Sequence, residues 1–322
     1  MSKYVILSLD GGGIKGYVTA LVLSQLQTDV QKQTGKDLIK RVDLLAGTST
    51  GGLIALMLAT GKQPSELPSM YTSMGSQIFG PDQRNSEGYL QAKWKRPTQA
   101  VQKVFPENRP IRALSKAMVI TNFAIRDVSP GNPAWGPNII TNLPIPPTAK
   151  ANATQELFIV QDSAPTIWDA ALGTSAAETF FPSYGKYVDG GTYANNPCAV
   201  ALGAAIAAGH ALDDIRIVSL GTGAVLNNVD RAFGDNLDWG MLQWATYFQS
   251  LMMDASMGAA DFVCRHVLSE SKYCRANPAL KKNVPMDDIS PATMRILLDS
   301  ANDFIASPAW GSFVAKVAQY VS

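Results

Sequence analysis

The chain is poor in cysteine, in net charge and in long apolar runs, and each shortage removes a class of protein. Three cysteines in 322 residues, Cys198, Cys264 and Cys274, are too few and too scattered for a disulfide framework, and none sits in a C-x-x-C pair. Charged residues make up only 16% and the formal net charge is +1, which gives no global pull toward nucleic acid. The longest apolar stretch, Ala199 to Ala208, is Ala-rich and far short of the roughly 20 residues a membrane span needs. Strand-like sequence begins at Tyr4, which leaves no room for a charged n-region and an apolar leader core. The expectation is a soluble cytoplasmic protein, in which the sequon Asn152-Ala153-Thr154 is accidental.

What is present is a globular composition, with 46% apolar residues, arranged as repeated strand–loop–helix units. Val5–Leu9 reads as a strand and Tyr17–Lys32 as a helix; Val42–Ala46 and a helix ending at Gly61 repeat the plan. Further strands are expected at Met118–Ile125, Leu157–Ile159 and Ile215–Leu220. Parallel strands joined by helices imply a sheet covered on both faces. With no repeat or long linker, residues 1–322 read as one domain carrying an insertion around 84–150. That insertion holds nine basic residues between Arg84 and Arg126 against Glu87 and Glu107, with Tyr89 and Trp94 interleaved. It is either a solvated basic face or a docking surface for anionic lipid headgroups. The stretch "SPGNPAWGPNIITNLPIPPT" that follows is too proline-heavy for regular structure.

Two glycine-rich turns carry the chemistry. After the first strand comes Asp10-Gly11-Gly12-Gly13-Ile14-Lys15-Gly16, which fits G-x-G-x-x-G. A dinucleotide site also needs an acid at the end of the second strand to hold the ribose, and the only acid there, Asp43, lies at its start. The second strand instead ends in Gly47-Thr48-Ser49-Thr50-Gly51-Gly52, a G-x-S-x-G between strand and helix. Small flanking residues permit a sharp turn that projects a serine hydroxyl above the sheet, with the helix amides aimed at it. An ordinary capped helix after a tight turn fits the same letters. If the first two strands are neighbours, the Gly11–Gly13 loop lies beside Ser49 and offers N–H donors to transient negative charge rather than to a cofactor.

A serine nucleophile needs a base, and the chain has only His210 and His266. The first follows a helix end and the second lies in a helical stretch with no turn to present it. A carboxylate is available in "YVDGGTYANNP", where Asp189 precedes Gly190 and Gly191. The ordered trio "DGGGIKG", "GTSTGG" and "VDGG", with "ALGTSAAETFFPSY", "IVSLGTG" and "YCRANPAL", resembles the patatin-like phospholipase family over most of the chain. Lys15 stands where many members carry Arg, although the plant patatins are similar to this sequence there. The resemblance implies a three-layer α/β/α sandwich around a mostly parallel sheet. It also implies a Ser–Asp dyad with Ser49 as nucleophile and Asp189 as proton acceptor, and no metal or cofactor. Gly11, Gly12 and Gly13, with the Thr50 amide, would form the oxyanion hole.

On that reading the protein cleaves acyl esters of membrane phospholipid or lysophospholipid during transient surface binding, with galactolipid and neutral glyceride as other lipid classes open to it. The alternatives are a regulated membrane-damaging effector in defence or virulence and a non-catalytic lipid-binding or storage protein. "MLQWATYFQSLMMDASMG", Met241–Gly258, reads as a helix whose methionines belong to the core, with an acyl-chain groove as the rival use.

Overall fold

The structure, a computed structural model, describes residues 3–86, 91–125, 136–145, 159–160, 165–225 and 239–322. Its frame is an eight-stranded sheet, β1 (Tyr4–Leu9), β2 (Leu44–Thr48), β3 (Ala117–Ala124), β4 (Gly136–Thr141), β5 (Ile159–Val160), β6 (Tyr187–Asp189), β7 (Ile215–Leu220) and β8 (Tyr273–Ala276). Seven strands lie in the order β5-β4-β3-β2-β1-β7-β8, and β6 pairs with β3 off that path. Only the β3–β4 and β3–β6 ladders are antiparallel, so the sheet is mostly parallel.

The sequence of β1, YVILSL, explains its central place. A strand buried on both faces must be apolar at successive positions, not at alternate ones. Val5, Leu7 and Leu9 enter one core with Leu45, Met118, Ile120, Val218 and Leu220. Ile6 enters the other with Leu44, Ala46, Val119, Ile215 and Ile217. Helices cover both faces: Gly16–Thr34, Thr50–Ala59 and Pro308–Val321 on the first, Cys198–Ala207 and the end of Met241–Leu268 on the second. This is the three-layer sandwich.

Most expected elements stand within two residues of their predicted ends. The expectation that the Pro-rich stretch lacks regular structure is corrected by β4, whose Ile139 and Ile140 lie opposite Thr121 and Ile120 of β3. Backbone pairing along a buried neighbour outweighs the local proline signal there. The expected strand at 157–159 is described only at Ile159, in β5; residues Glu87, Tyr89, Arg126 and the 152–154 sequon lie outside the described residues. The insertion's described cations are largely engaged within the protein. Lys93 pairs with Asp287, Lys95 and Arg96 bond the carbonyls of Asp82 and Ser183, and Lys116 bonds that of Val42. Among the described residues, no helix is long and apolar enough to cross a membrane.

Candidate active site

The sheet brings Ser49 and Asp189 together by an unusual sharing of one lane. β2 runs parallel to β3 and ends at Thr48, opposite Thr121. β6 runs antiparallel to β3 and takes over at the next rung, with Asp189 opposite Asn122. The C-terminal ends of β2 and β6 therefore meet head to head. Thr48 stitches the junction, its hydroxyl within 2.7 Å of Thr121 Oγ1 and 2.5 Å from the Ala194 carbonyl.

Ser49 sits on the turn with φ 53° and ψ −124°, a conformation that costs a non-glycine residue on the order of 1–3 kcal/mol. Contacts on both sides hold it there. Its amide donates to Thr174 Oγ1 at 2.8 Å, and its carbonyl accepts from the Leu53 amide at 3.0 Å. The helix Thr50–Ala59 then starts directly against the end of β1. A Cβ at Gly51 would collide with the Leu9 carbonyl, which is why glycine follows the elbow. Gly16, Gly47 and Gly190 lie at similar close approaches, to Thr50 and Tyr71, to the Gly51 backbone, and to Thr121.

Asp189 is 4% exposed. Burial pushes its pKa up to about 7; the Ser49 hydroxyl and the Gly191 amide, 2.7 Å from Oδ1, oppose the rise, and Glu178 adds to it. Oδ2 makes no hydrogen bond of standard geometry among the described residues. The Ser49 hydroxyl nonetheless favours the charged carboxylate, and active-site hydrogen bonds of this kind commonly tighten when substrate arrives.

The glycine loop divides into a donor part and a structural part. Gly12, Gly13 and Thr50 line the same cavity as Ser49 and Asp189. Their amides stand at helix starts, where no intrahelical acceptor exists, and none donates to another protein group among the described residues. Gly13 has φ 59°, and a Cβ there would strike the Met286 carbonyl. Gly11 does not fill the oxyanion role expected of it. Its amide donates to the Asn195 carbonyl at 2.9 Å, and its carbonyl accepts from Thr222 Oγ1 at 3.0 Å and Asn195 Nδ2 at 3.3 Å. It braces the loop instead.

Asp10 faces away from the chemistry. It is fully buried and held by Arg275, Nη2 to Oδ2 at 2.5 Å and Nη1 to Oδ1 at 3.2 Å. Burial pushes the Asp10 carboxyl up, and the guanidinium opposes that. Lys15 is partly buried, which lowers its pKa against the pull of Asp254. Both histidines lie outside the cavity, His210 stacked on Tyr4 and His266 exposed beside Phe262. Among the described residues no group of three or more His, Cys, Asp or Glu could hold a metal ion.

The cavity has a volume of about 580 Å³ and its walls are overwhelmingly apolar. Its lining includes Met57, Met70, Met74 and Phe79, then Val101, Val104 and Phe105, and Phe248, Met252 and Met253 of the helix Met241–Leu268. Methionines of the segment 241–258 therefore do line a groove. The expectation that they belong to the core is corrected: Met241 and Met252 are 82% and 45% exposed.

Four residues of the site were not singled out from sequence. Thr174 holds the Ser49 amide, Tyr71 hydrogen-bonds Thr50, Asn195 supports Gly11, and Arg275 neutralises Asp10. Two of them, Thr174 and Arg275, lie inside stretches that carried the family resemblance, "ALGTSAAETFFPSY" and "YCRANPAL", and Asn195 lies four positions beyond the end of "VDGG". Tyr71 carries no such signal.

With this geometry in view, the chain belongs to the patatin-like phospholipase family, whose profile it matches over residues 7–202. Patatin-16 of Solanum tuberosum is 27% identical over 348 residues, covering 94% of this chain and 84% of that protein. A protein of Pseudomonas aeruginosa named cGAMP-activated phospholipase is 27% identical over 313 residues, covering 93% and 87%. The mouse 85/88 kDa calcium-independent phospholipase A2 is 29% identical over 196 residues; the match covers 60% of this chain but spans only 22% of that protein's length.

Proposed function

We propose that the protein is a lipid acyl hydrolase that cleaves fatty acyl esters of glycerophospholipids or lysophospholipids. Ser49 Oγ attacks the ester carbonyl as its proton passes to Asp189. The oxyanion is held by the amides of Gly12, Gly13 and Thr50. The tetrahedral intermediate collapses to an acyl-enzyme as Asp189 returns the proton to the departing alcohol, and water then repeats the cycle to release the fatty acid. A carboxylate at its ordinary pKa near 4 is a weak base for an alcohol. The observation that carries the proposal is the burial of Asp189, which brings its pKa to about 7 beside a strained serine at the polar end of an apolar cavity. A general base is most effective when its pKa lies near the working pH.

Ser49→Ala and Asp189→Asn should each lower fatty acid release from phosphatidylcholine vesicles by at least about 10³-fold while leaving the far-UV circular dichroism unchanged. Release is read by mass spectrometry. Either purified variant retaining a tenth or more of the activity would sink the dyad. A fluorophosphonate probe that failed to label Ser49 in the unsubstituted protein would favour the non-catalytic, lipid-binding alternative.

A second reading concerns control, not chemistry. Similarity to the cGAMP-activated phospholipase extends over nearly the whole of both chains, which supports an effector that stays silent until a nucleotide signal arrives. Vesicle hydrolysis with and without cGAMP separates a triggered enzyme from a constitutive one.

A further inference from the structure

The helix Met241–Leu268 is apolar on two opposite faces. Ala260, Cys264 and Leu268 are buried in the second core. On the other side Phe248, Leu251, Met252, Phe262, Val263 and Val267 are between 41% and 63% exposed. With Ala255 and Ala259, also exposed, they recur every three or four positions and make one stripe along the helix. Single exposed apolar side chains need no explanation, but a continuous line of them marks a surface that meets something apolar.

What it meets follows from where the stripe leads. Phe248 and Met252 belong to it and also line the cavity above Ser49. The apolar surface therefore runs unbroken from the outer face of the helix into the site. We propose that this helix lies flat on a lipid bilayer, with the stripe from Phe248 to Val267 in the acyl region, so that a substrate chain passes from the membrane along Phe248 and Met252 into the cavity. The proposal rests on the lipid-hydrolase reading of that cavity.

The charge pattern specifies the kind of surface. Apart from His266, the helix carries only Asp254, Asp261 and Arg265 as charged residues, and the last two pair at 2.8 Å. The helix has no cationic excess to recognise anionic headgroups, and of the insertion's basic side chains Lys93, Lys95, Arg96 and Lys116 are held by bonds to Asp287 and to backbone carbonyls of the protein itself. Binding is thus driven by apolar burial, favours no anionic lipid, and changes little with salt.

The test uses the full chain carrying Ser49→Ala, so that binding is read apart from turnover. Its partition onto phosphatidylcholine vesicles is compared with that of a chain also carrying Phe262→Ser, Val263→Ser and Val267→Ser, none of which lines the cavity. The three changes should weaken partition on the order of tenfold or more, equally at about 0.1 M and about 0.5 M salt. Phe262→Leu should retain it. With Ser49 intact, the triple variant should hydrolyse p-nitrophenyl butyrate normally and vesicle lipid poorly. Equal partition of the two proteins overturns the proposal, as does binding confined to anionic vesicles. So does a stable dimer that the triple substitution dissociates, which would assign the stripe to a second copy. If vesicles bind through the stripe while neither ester is cleaved, the hydrolase reading fails and the docking surface stands.

Discussion

Asp10 and Asp189 occupy matching places and live in opposite electrostatic worlds. Asp10 directly follows β1 and Asp189 is the last residue of β6, each precedes glycines, and each is buried. Asp10 has a guanidinium on both carboxylate oxygens. Asp189 has one backbone amide, a serine hydroxyl and the unfavourable neighbour Glu178, with no cation beside it among the described residues. A paired buried carboxylate is a strut. An unpaired one lining a cavity has its pKa raised toward ordinary pH, which suits the proton acceptor proposed for Asp189. Motif letters alone, DGGG and DGG, do not distinguish the two.

The strut should give the largest change in stability. Arg275→Met leaves the Asp10 carboxylate buried without its partner, which costs about 3–5 kcal/mol in comparable cases. Urea denaturation at pH 8 should show that loss, and adding Asp10→Asn should recover much of it. The single variant should suffer least at low pH. Burial raises the Asp10 pKa in the folded state, so removing the opposing guanidinium makes folding favour the protonated acid, and the deficit grows as pH rises. A loss under about 1 kcal/mol would show that the pair is dispensable and that the contrast between the two aspartates is only apparent.

Removing the other carboxylate should have the opposite sign. An acid whose pKa is near 4 unfolded and about 7 folded binds more protons in the folded state. Its stabilising effect is full below pH 4 and disappears as pH climbs to about 7, leaving an ionised buried group that costs on the order of a few kcal/mol. Asp189→Asn should therefore raise the melting temperature at pH 8 and change it little at pH 4, while the Asn Oδ1 still accepts from Gly191. Loss of stability at pH 8 would mean that the carboxylate is better satisfied than its surroundings indicate.

The parts of this comparison were unequally legible in the sequence. Val5–Leu9 reads as a strand, and Gly47–Gly52 as an elbow or a capped helix, because both are written in consecutive residues. Arg275 lies 265 positions from Asp10, and only the β7–β8 pairing brings it there. β6 has three residues, too few for any period, and its place is set by the rung Asn122–Asp189. The helix Met241–Leu268 misled for a different reason. A segment apolar on most sides reads as buried on all of them, and sequence does not say which side the sheet covers.

The smallest expected effect probes Glu178, the one negative charge among the described residues that raises the pKa of the proposed base. Thr192 donates its hydroxyl to Glu178, which lies in the cavity wall and raises the Asp189 pKa through charge repulsion. Hydrolysis of a soluble ester by the unsubstituted protein should rise with pH through about 7, as Asp189 loses its proton and becomes able to accept one from Ser49. Glu178→Gln keeps the size and the hydrogen bond to Thr192 but removes the charge. The carboxylate of Asp189 then ionises more easily, and the rising limb of the profile moves to lower pH. The plateau should fall slightly at the same time, because a base with a lower pKa draws the serine proton less strongly. A profile that moves to higher pH, or one that stays fixed while the plateau collapses, would tie the limb to a group other than Asp189.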